Sequence, residues 1–210
     1  MGIANLWDRH VVPRLIRCAC ASDAIMSMRG KVVPRARGAV MELGCGGGLN
    51  QSLYDPAAVT SFAGIDPSVK LLDYAREKAQ ALGIPVDIRC GIGEALPFTD
   101  HSFDTVVCTY TLCSVDDPAR VLSEVRRVLK PGGRLLFLEH GRAPDAAVAK
   151  WQGRIEPLWK PAMGNCHLTR PVTGAIAAAG FVIEHPGHHY MPRMPRFAGW
   201  MEWGEGINPA

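Results

Sequence analysis

The stretch from Ala39 to Asn50 limits the fold more than any other part of the chain. Ala39 to Leu43 is a mostly apolar run and reads as a buried strand. Gly44, Gly46, Gly47 and Gly48 then put four glycines within five residues, and a helix is expected to begin near Leu49. Glycines let the backbone turn sharply and let a ligand approach the main chain without a Cβ in the way. A strand, a glycine loop and a helix in that order is how open α/β sheets bind nucleotides, outside the carboxyl ends of their strands.

The dinucleotide fingerprint is G-x-G-x-x-G. Gly44 and Gly46 fill its first two places, but Leu49 holds the third. The spacing is instead E-x-G-x-G-x-G, with Glu42 on the strand. A carboxylate facing the loop repels a pyrophosphate and suits a ligand with an ammonium group and no phosphate. S-adenosylmethionine (SAM) is such a ligand. Further on, Ala63-Gly64-Ile65-Asp66-Pro67 ends an apolar segment on an acid placed to accept hydrogen bonds from both ribose hydroxyls. NAD-binding chains share that feature, so Asp66 alone leaves both ligands open.

Glu42, Gly44, Gly46, Gly48 and Asp66 together resemble the class I SAM-dependent methyltransferases. The resemblance implies an α/β, Rossmann-like single domain with a mostly parallel seven-stranded sheet and a terminal antiparallel strand. It implies SAM as cofactor, with Gly44, Cys45 and Gly46 along the methionine moiety and Asn50 closing the loop. Asp66 and Pro67 would meet the ribose, and Ile92 and Gly93 the adenine. In the family an Asp commonly stands where this chain has Ile92, so backbone and apolar contact would hold the base here. Cys108 and Cys113 would pass beside the methionine moiety.

Composition sets the remaining bounds. A chain of 210 residues suits one domain with a full core. Its net charge of +3 is too weak to argue for nucleic acid. Seven cysteines contain no C-x-x-C pair, so no zinc site is expected, and free thiols in a reducing cytosol are the simplest reading. No apolar run approaches the ~20 residues needed to span a bilayer. The expected location is cytoplasmic.

Residues 1–36 read as an N-terminal helical cap and 37–210 as the catalytic domain. Leu6, Trp7, Val11, Val12, Leu15 and Ile16 recur near helical spacing, with arginines among them. They suit a helix over the site's mouth or a peripheral membrane contact. Ala24 to Met28 suits a second short helix, and Arg29 to Arg37 a basic linker. Strands are expected over 59–65, 85–90, 103–109 and 134–139, and helices after Pro67 and over 119–129. Lys130 to Gly133 reads as a turn. Beyond Gly141, helices are expected over 145–159 and 171–179, and a closing antiparallel pair over 181–185 and 197–203.

The segment from Trp151 to Arg170 is the most distinctive. Cys108 to Val115, Glu139-His140, the W-Q…E-P-x-W pattern and the loop G-x-C-x-L-T-R look like the alkyl thiol S-methyltransferases of the methyltransferase-like family. That resemblance implies methyl transfer from SAM to a small thiol acceptor. Phospholipid N-methylation and quinone C-methylation are the alternatives, and a SAM-sensing or partner-binding module is the non-enzymatic one. His140, His167 and Arg170 are the catalytic candidates: an imidazole can take a proton near neutral pH, and a guanidinium favours an anion. Glu94 suits a solvated role. Trp151 and Trp159 would share one helix face and either wall a pocket or pack the core. His185, His188 and His189 lack the carboxylate or cysteine support a metal site requires.

Overall fold

The computed structural model describes residues 21–209. The proposed cap helix over Leu6 to Ile16 lies outside them, as do Cys18 and Cys20. Seven strands form one sheet: β1 (Gly38–Leu43), β2 (Val59–Asp66), β3 (Val86–Cys90), β4 (Phe103–Thr109), β5 (Leu129–His140), β6 (Val182–Tyr190) and β7 (Trp200–Ile207). Their spatial order is β3-β2-β1-β4-β5-β7-β6. The first five pair in parallel, and β7 runs antiparallel to both β5 and β6. Six helices accompany them among the described residues: α1 (Asp23–Val32), α2 (Val69–Ala79), α3 (Pro118–Val128), α4 (Ala146–Ala162), α5 (Val172–Ala178) and the single turn α6 (Arg196–Gly199).

The period-two rule explains the two cores. Successive strand residues face opposite sides of a sheet. Met41, Val106, Leu135 and Phe137 join Val121, Leu122 and Val125 of α3 and Ile176 of α5 on one side. Val40, Val107, Leu136 and Leu138 join Ile25, Met28 and Val32 of α1 on the other. Parallel strands covered on both faces read as continuous apolar runs, which is what 103–109 and 134–139 show.

The structure corrects several boundaries. No α-helix starts at Leu49: a short 3-10 turn, Gln51–Leu53, stands there. The Asn50 side chain is drawn inward, and Asp55-Pro56 follows, where proline pushes the preceding residue away from helix. Arg29 belongs to no linker, because α1 continues through it to Val32. Lys130 to Gly133 is a bulge inside β5, where the register jumps between the Phe103–Leu129 and Thr105–Arg134 pairs. Phe197 sits in α6 and not in the last strand, because Pro192 and Pro195 cannot donate to a ladder and hold the turn open. β6 runs on past Pro186 through a register shift, which an edge strand tolerates. Trp151 and Trp159 do not share a face: eight residues at about 100° each leave them some 80° apart. Trp151 is exposed under Arg154, while Trp159 packs edge-on against Phe197.

One glutamine ties α4 to the sheet. Gln152 is fully buried, accepts from Ala143 N at 2.9 Å, and donates to Gly141 O and Phe197 O at 3.1 and 3.0 Å. Removing it leaves three backbone groups unpaired. Gln152→Ala is expected to cost about 2–4 kcal/mol of stability, read as a lower urea midpoint at unchanged slope. A change under about 0.5 kcal/mol would show that water replaces the side chain.

Candidate active site

A cavity of about 570 Å³ opens at the carboxyl ends of β1, β2 and β4, a size suited to a cofactor. Glu42, Gly44, Cys45, Gly46, Asp66, Pro67, Ile92 and Gly93 all line it. The glycine loop crosses over the end of β2. Gly44 N and Cys45 N both donate to Ile65 O, at 2.9 and 3.0 Å. Gly46 N donates to Asp66 Oδ2 at 3.0 Å, and Gly48 N to Cys45 O at 2.9 Å. These amides are spent inside the loop, whereas a pyrophosphate loop offers its amides to the ligand. Gly44 and Gly46 adopt positive φ, 69° and 49°, which a side chain would strain. A Cβ on Gly44 would also run into Thr111.

Asp66 is held from behind. Ser68 N donates to its Oδ1 at 2.8 Å, while Gly46 N holds the other oxygen. Burial raises its pKa above the usual carboxylate range, and those two amides oppose the shift. A carboxylate fixed this way lines the cavity with both oxygens oriented by backbone amides.

Glu42 sits in a buried polar network. Asn50 Nδ2 donates to its Oε1 at 2.8 Å and Tyr54 Oη to its Oε2 at 3.0 Å. Arg29 Nη1 reaches Asn50 Oδ1 at 2.7 Å and Thr109 Oγ1 at 2.6 Å. Burial pushes Glu42 up to about 7, with Tyr54, Arg29 and Asn50 pulling it back. Asn50 itself is wholly buried and supports Glu42 from behind the cavity wall.

The turn after β4 forms the opposite wall. Glu139, fully buried at the end of β5, accepts from the amides of Thr111, Leu112 and Cys113 at 2.8, 3.1 and 3.2 Å. It also accepts from Cys108 Sγ at 3.3 Å. Cys108 and Cys113 therefore lie behind the wall and do not line the cavity. Tyr110, at φ 58°, starts the turn.

The 164–170 loop packs on that turn and forms a rim of the cavity. Asn165 Nδ2 donates to Ser114 O at 2.7 Å and Asp116 Oδ1 at 2.9 Å. His167 N donates to Cys113 O at 2.8 Å, and Arg170 Nη1 to Leu112 O at 2.6 Å. Gly164, Asn165 and Ser114 reach the cavity, whereas His140, His167 and Arg170 stand just behind that rim. His167 Nδ1 lies 3.3 Å from Glu156 Oε1, and burial followed by the Arg170 charge holds its pKa below the usual value. His140 Nδ1 lies 3.8 Å from Cys166 Sγ. Glu94 is no free surface acid: its Oε1 accepts from Asp116 N and Asp117 N, at 3.0 and 3.2 Å. Among the described residues no three His, Cys, Asp or Glu side chains gather as metal ligands.

Sequence reasoning missed Arg29, Tyr54, Thr109, Tyr110, Thr111 and Asp116. For Arg29 a signal existed: it falls among Ile25, Met28 and Val32, on the buried face of α1. The others become visible only when strand ends converge.

The residues present fit SAM: an acid for the ribose, a second near the loop, amides withheld from phosphate, and an apolar floor near Ile92. Comparisons agree. Residues 41–137 match a family model described as a methyltransferase domain. Thiol S-methyltransferase TMT1B of Rattus norvegicus is 41% identical over 168 residues, covering 76% of this chain and 68% of that protein. A phosphatidylethanolamine N-methyltransferase of Cereibacter sphaeroides is 39% identical over 124 residues, covering 57% of this chain and 60% of that protein. A solved geranyl diphosphate methyltransferase in complex with SAM shares the fold at TM-score 0.67 and 14% identity, over 87% of this chain and 85% of that one. The chain is a SAM-dependent methyltransferase of class I and belongs to the family that includes thiol S-methyltransferase TMT1B.

Proposed function

We propose that this enzyme methylates the sulfur of a small alkyl thiol. The observation that carries the reading is the acceptor rim: the 164–170 loop, the stretch that most resembles the thiol methyltransferases, is fastened to the turn after β4 by three hydrogen bonds to its backbone carbonyls. Bound in the cavity, SAM supplies a methyl group on a positively charged sulfur. The chain's residues bind, align and exclude water, which in-line displacement requires. Asp66 takes the ribose hydroxyls, and Glu42 sets the charge beside the glycine loop. A thiol has a pKa of ~8.5, so a modest push yields thiolate at neutral pH. The Arg170 guanidinium supplies positive charge behind the rim. One of the two imidazoles behind the rim, His140 or His167, takes the thiol proton, directly or through one water, and burial favours the neutral form of His167.

The experiment measures S-adenosylhomocysteine release with SAM and one of three acceptors: a small alkyl thiol, phosphatidylethanolamine vesicles or a reduced quinone. Turnover with the thiol alone is expected. Turnover only with vesicles would move the acceptor to a lipid amine, which the Cereibacter relative favours, and turnover only with quinol would move it to carbon. SAM binding without turnover on any of them would mean that the acceptor lies outside this panel or that the protein is a sensor.

Two further outcomes test the roles. Glu42 titrates near 7 and must be ionised to favour an ammonium group. SAM affinity is therefore expected to rise as pH increases through about 7, and Glu42→Gln to weaken binding and flatten the rise; calorimetry that finds the same pH profile in both proteins would remove the assignment. The double variant His140→Ala/His167→Ala is expected to lose about 10²-fold in kcat at neutral pH. Full turnover by that variant would show that the thiol loses its proton to solvent.

A further inference from the structure

Cys166 and Cys113 meet under the acceptor rim in a setting that neither SAM binding nor methyl transfer explains. His167 N bonds Cys113 O at 2.8 Å, so the two chain segments run side by side, the approach a disulfide requires. Cys113 Sγ lies 3.4 Å from Ser114 Oγ and close enough to Cys166 for each thiol to set the other's protonation. His140 Nδ1 lies 3.8 Å from the Cys166 sulfur. Trp159 Nε1 is buried without a hydrogen-bond partner, and its N–H adds to what favours the charged form of that sulfur. One sulfur thus collects a thiol, an imidazole and an indole N–H, which is an environment for a thiolate. Cys166 is held well below the usual thiol range, chiefly by the Cys113 contact and then by His140, while Cys113 is held above it. Cys45 and Cys108 are different: both are buried, with carboxylates nearby that keep them protonated. Cys166 is only partly covered, and its neighbour Asn165 faces the cavity, so a small solute can reach it.

We propose that Cys113 and Cys166 form a redox-active dithiol that hydrogen peroxide or a small hydroperoxide oxidises to an intramolecular disulfide, joining the turn after β4 to the 164–170 loop. The Cys166 thiolate attacks a peroxide oxygen, the O–O bond breaks, and the leaving hydroxide takes a proton to become water. Cys166 is then a sulfenic acid. Its negative charge is gone, so the largest influence that kept Cys113 protonated is removed, while burial and Glu139 still act on that thiol. The Cys113 sulfur attacks the sulfenyl sulfur, the S–S bond forms, and the departing hydroxide leaves as water with the Cys113 proton. Two thiols are oxidised and one peroxide is reduced to two waters.

The test treats the full chain with stoichiometric hydrogen peroxide, alkylates the remaining thiols and maps them by peptide mass spectrometry. The expected result is a cross-linked pair of peptides carrying Cys113 and Cys166, lighter by two hydrogen atoms, with both thiols lost to alkylation while Cys45 and Cys108 stay alkylatable after denaturation. A phosphine should restore both thiols, and it avoids adding a thiol that could serve as acceptor. In Cys113→Ser the cross-link should vanish and a sulfenic-acid trap should label Cys166. Peroxide that leaves both thiols alkylatable overturns the proposal. So does oxidation of Cys166 to sulfinic acid in the unaltered chain with no cross-link. Because the mapping of the unaltered chain is decisive by itself, a variant that fails to fold does not spoil the test.

Discussion

A carboxylate at the carboxyl end of β1 has been taken almost wholly out of water, and much of the site's architecture answers that fact. Glu42 shares a strand face with Val40, two residues away, so it points toward the side that α1 covers. Ionising it there costs several kcal/mol unless charge and hydrogen bonds compensate. The compensation comes from four different places in the chain: Arg29 on α1, Asn50 after the glycine loop, Tyr54 beyond it, and Thr109 at the end of β4. Each tie holds a segment in place. Asn50 is pulled inward and the expected helix after the loop is traded for a short turn. α1 must lie across the sheet to bring Arg29 within reach, and its guanidinium also rests 5.0 Å from the Tyr110 ring. The N-terminal side of the domain is thereby bonded to the cofactor cavity and not merely packed on the sheet.

A second buried acid does comparable work across the cleft. Glu139 gathers three consecutive amides of the turn after β4, which is how a tight turn with Tyr110 at positive φ is stabilised without glycine. Arg170 bonds the same turn from the other side through Leu112 O. The turn that faces both the glycine loop and the acceptor rim is thus clamped between an anion and a cation. Its geometry depends on β5 and on the 164–170 loop together, so the two halves of the site are mechanically linked.

What could be read in advance follows from the range of the forces involved. The glycine loop, Asp66 and the buried strands are local patterns: adjacent residues carry the whole signal, and the cavity forms where the pattern places it. Partners far apart in sequence were not legible. Arg29 looks like a linker residue until its position between Met28 and Val32 is seen on the inner face of a helix. Asn50 looks like a loop cap until Glu42, eight residues earlier, is known to need it. His140, His167 and Arg170 were singled out by type and motif, but their places just behind the rim depend on how the 164–170 loop docks, which no spacing reveals. Trp151 and Trp159 diverged because helical geometry separates residues eight apart. Phe197 was misplaced because two prolines, and not apolar periodicity, decide where β7 can begin.

The position of β7 has a consequence for how the chain is made. β5 and β6 do not touch each other directly: the strand between them is the last in the sequence and pairs with both, from Arg134–Ile207 to His140–Met201 on one side and from Val182–Ile207 to Tyr190–Trp200 on the other. During synthesis the first five strands can assemble as they leave the ribosome, but one long edge of β5 stays open and β6 has nothing to pair with. The gap closes only when residues 200–207 have emerged, and they must thread into it in reverse direction. Gly187 leaves no room for a side chain beside Trp203, so the fit is tight when it comes. The domain therefore carries an unpaired edge on β5 until residues 200–207 dock, and that edge is where wrong pairing threatens the folding chain most.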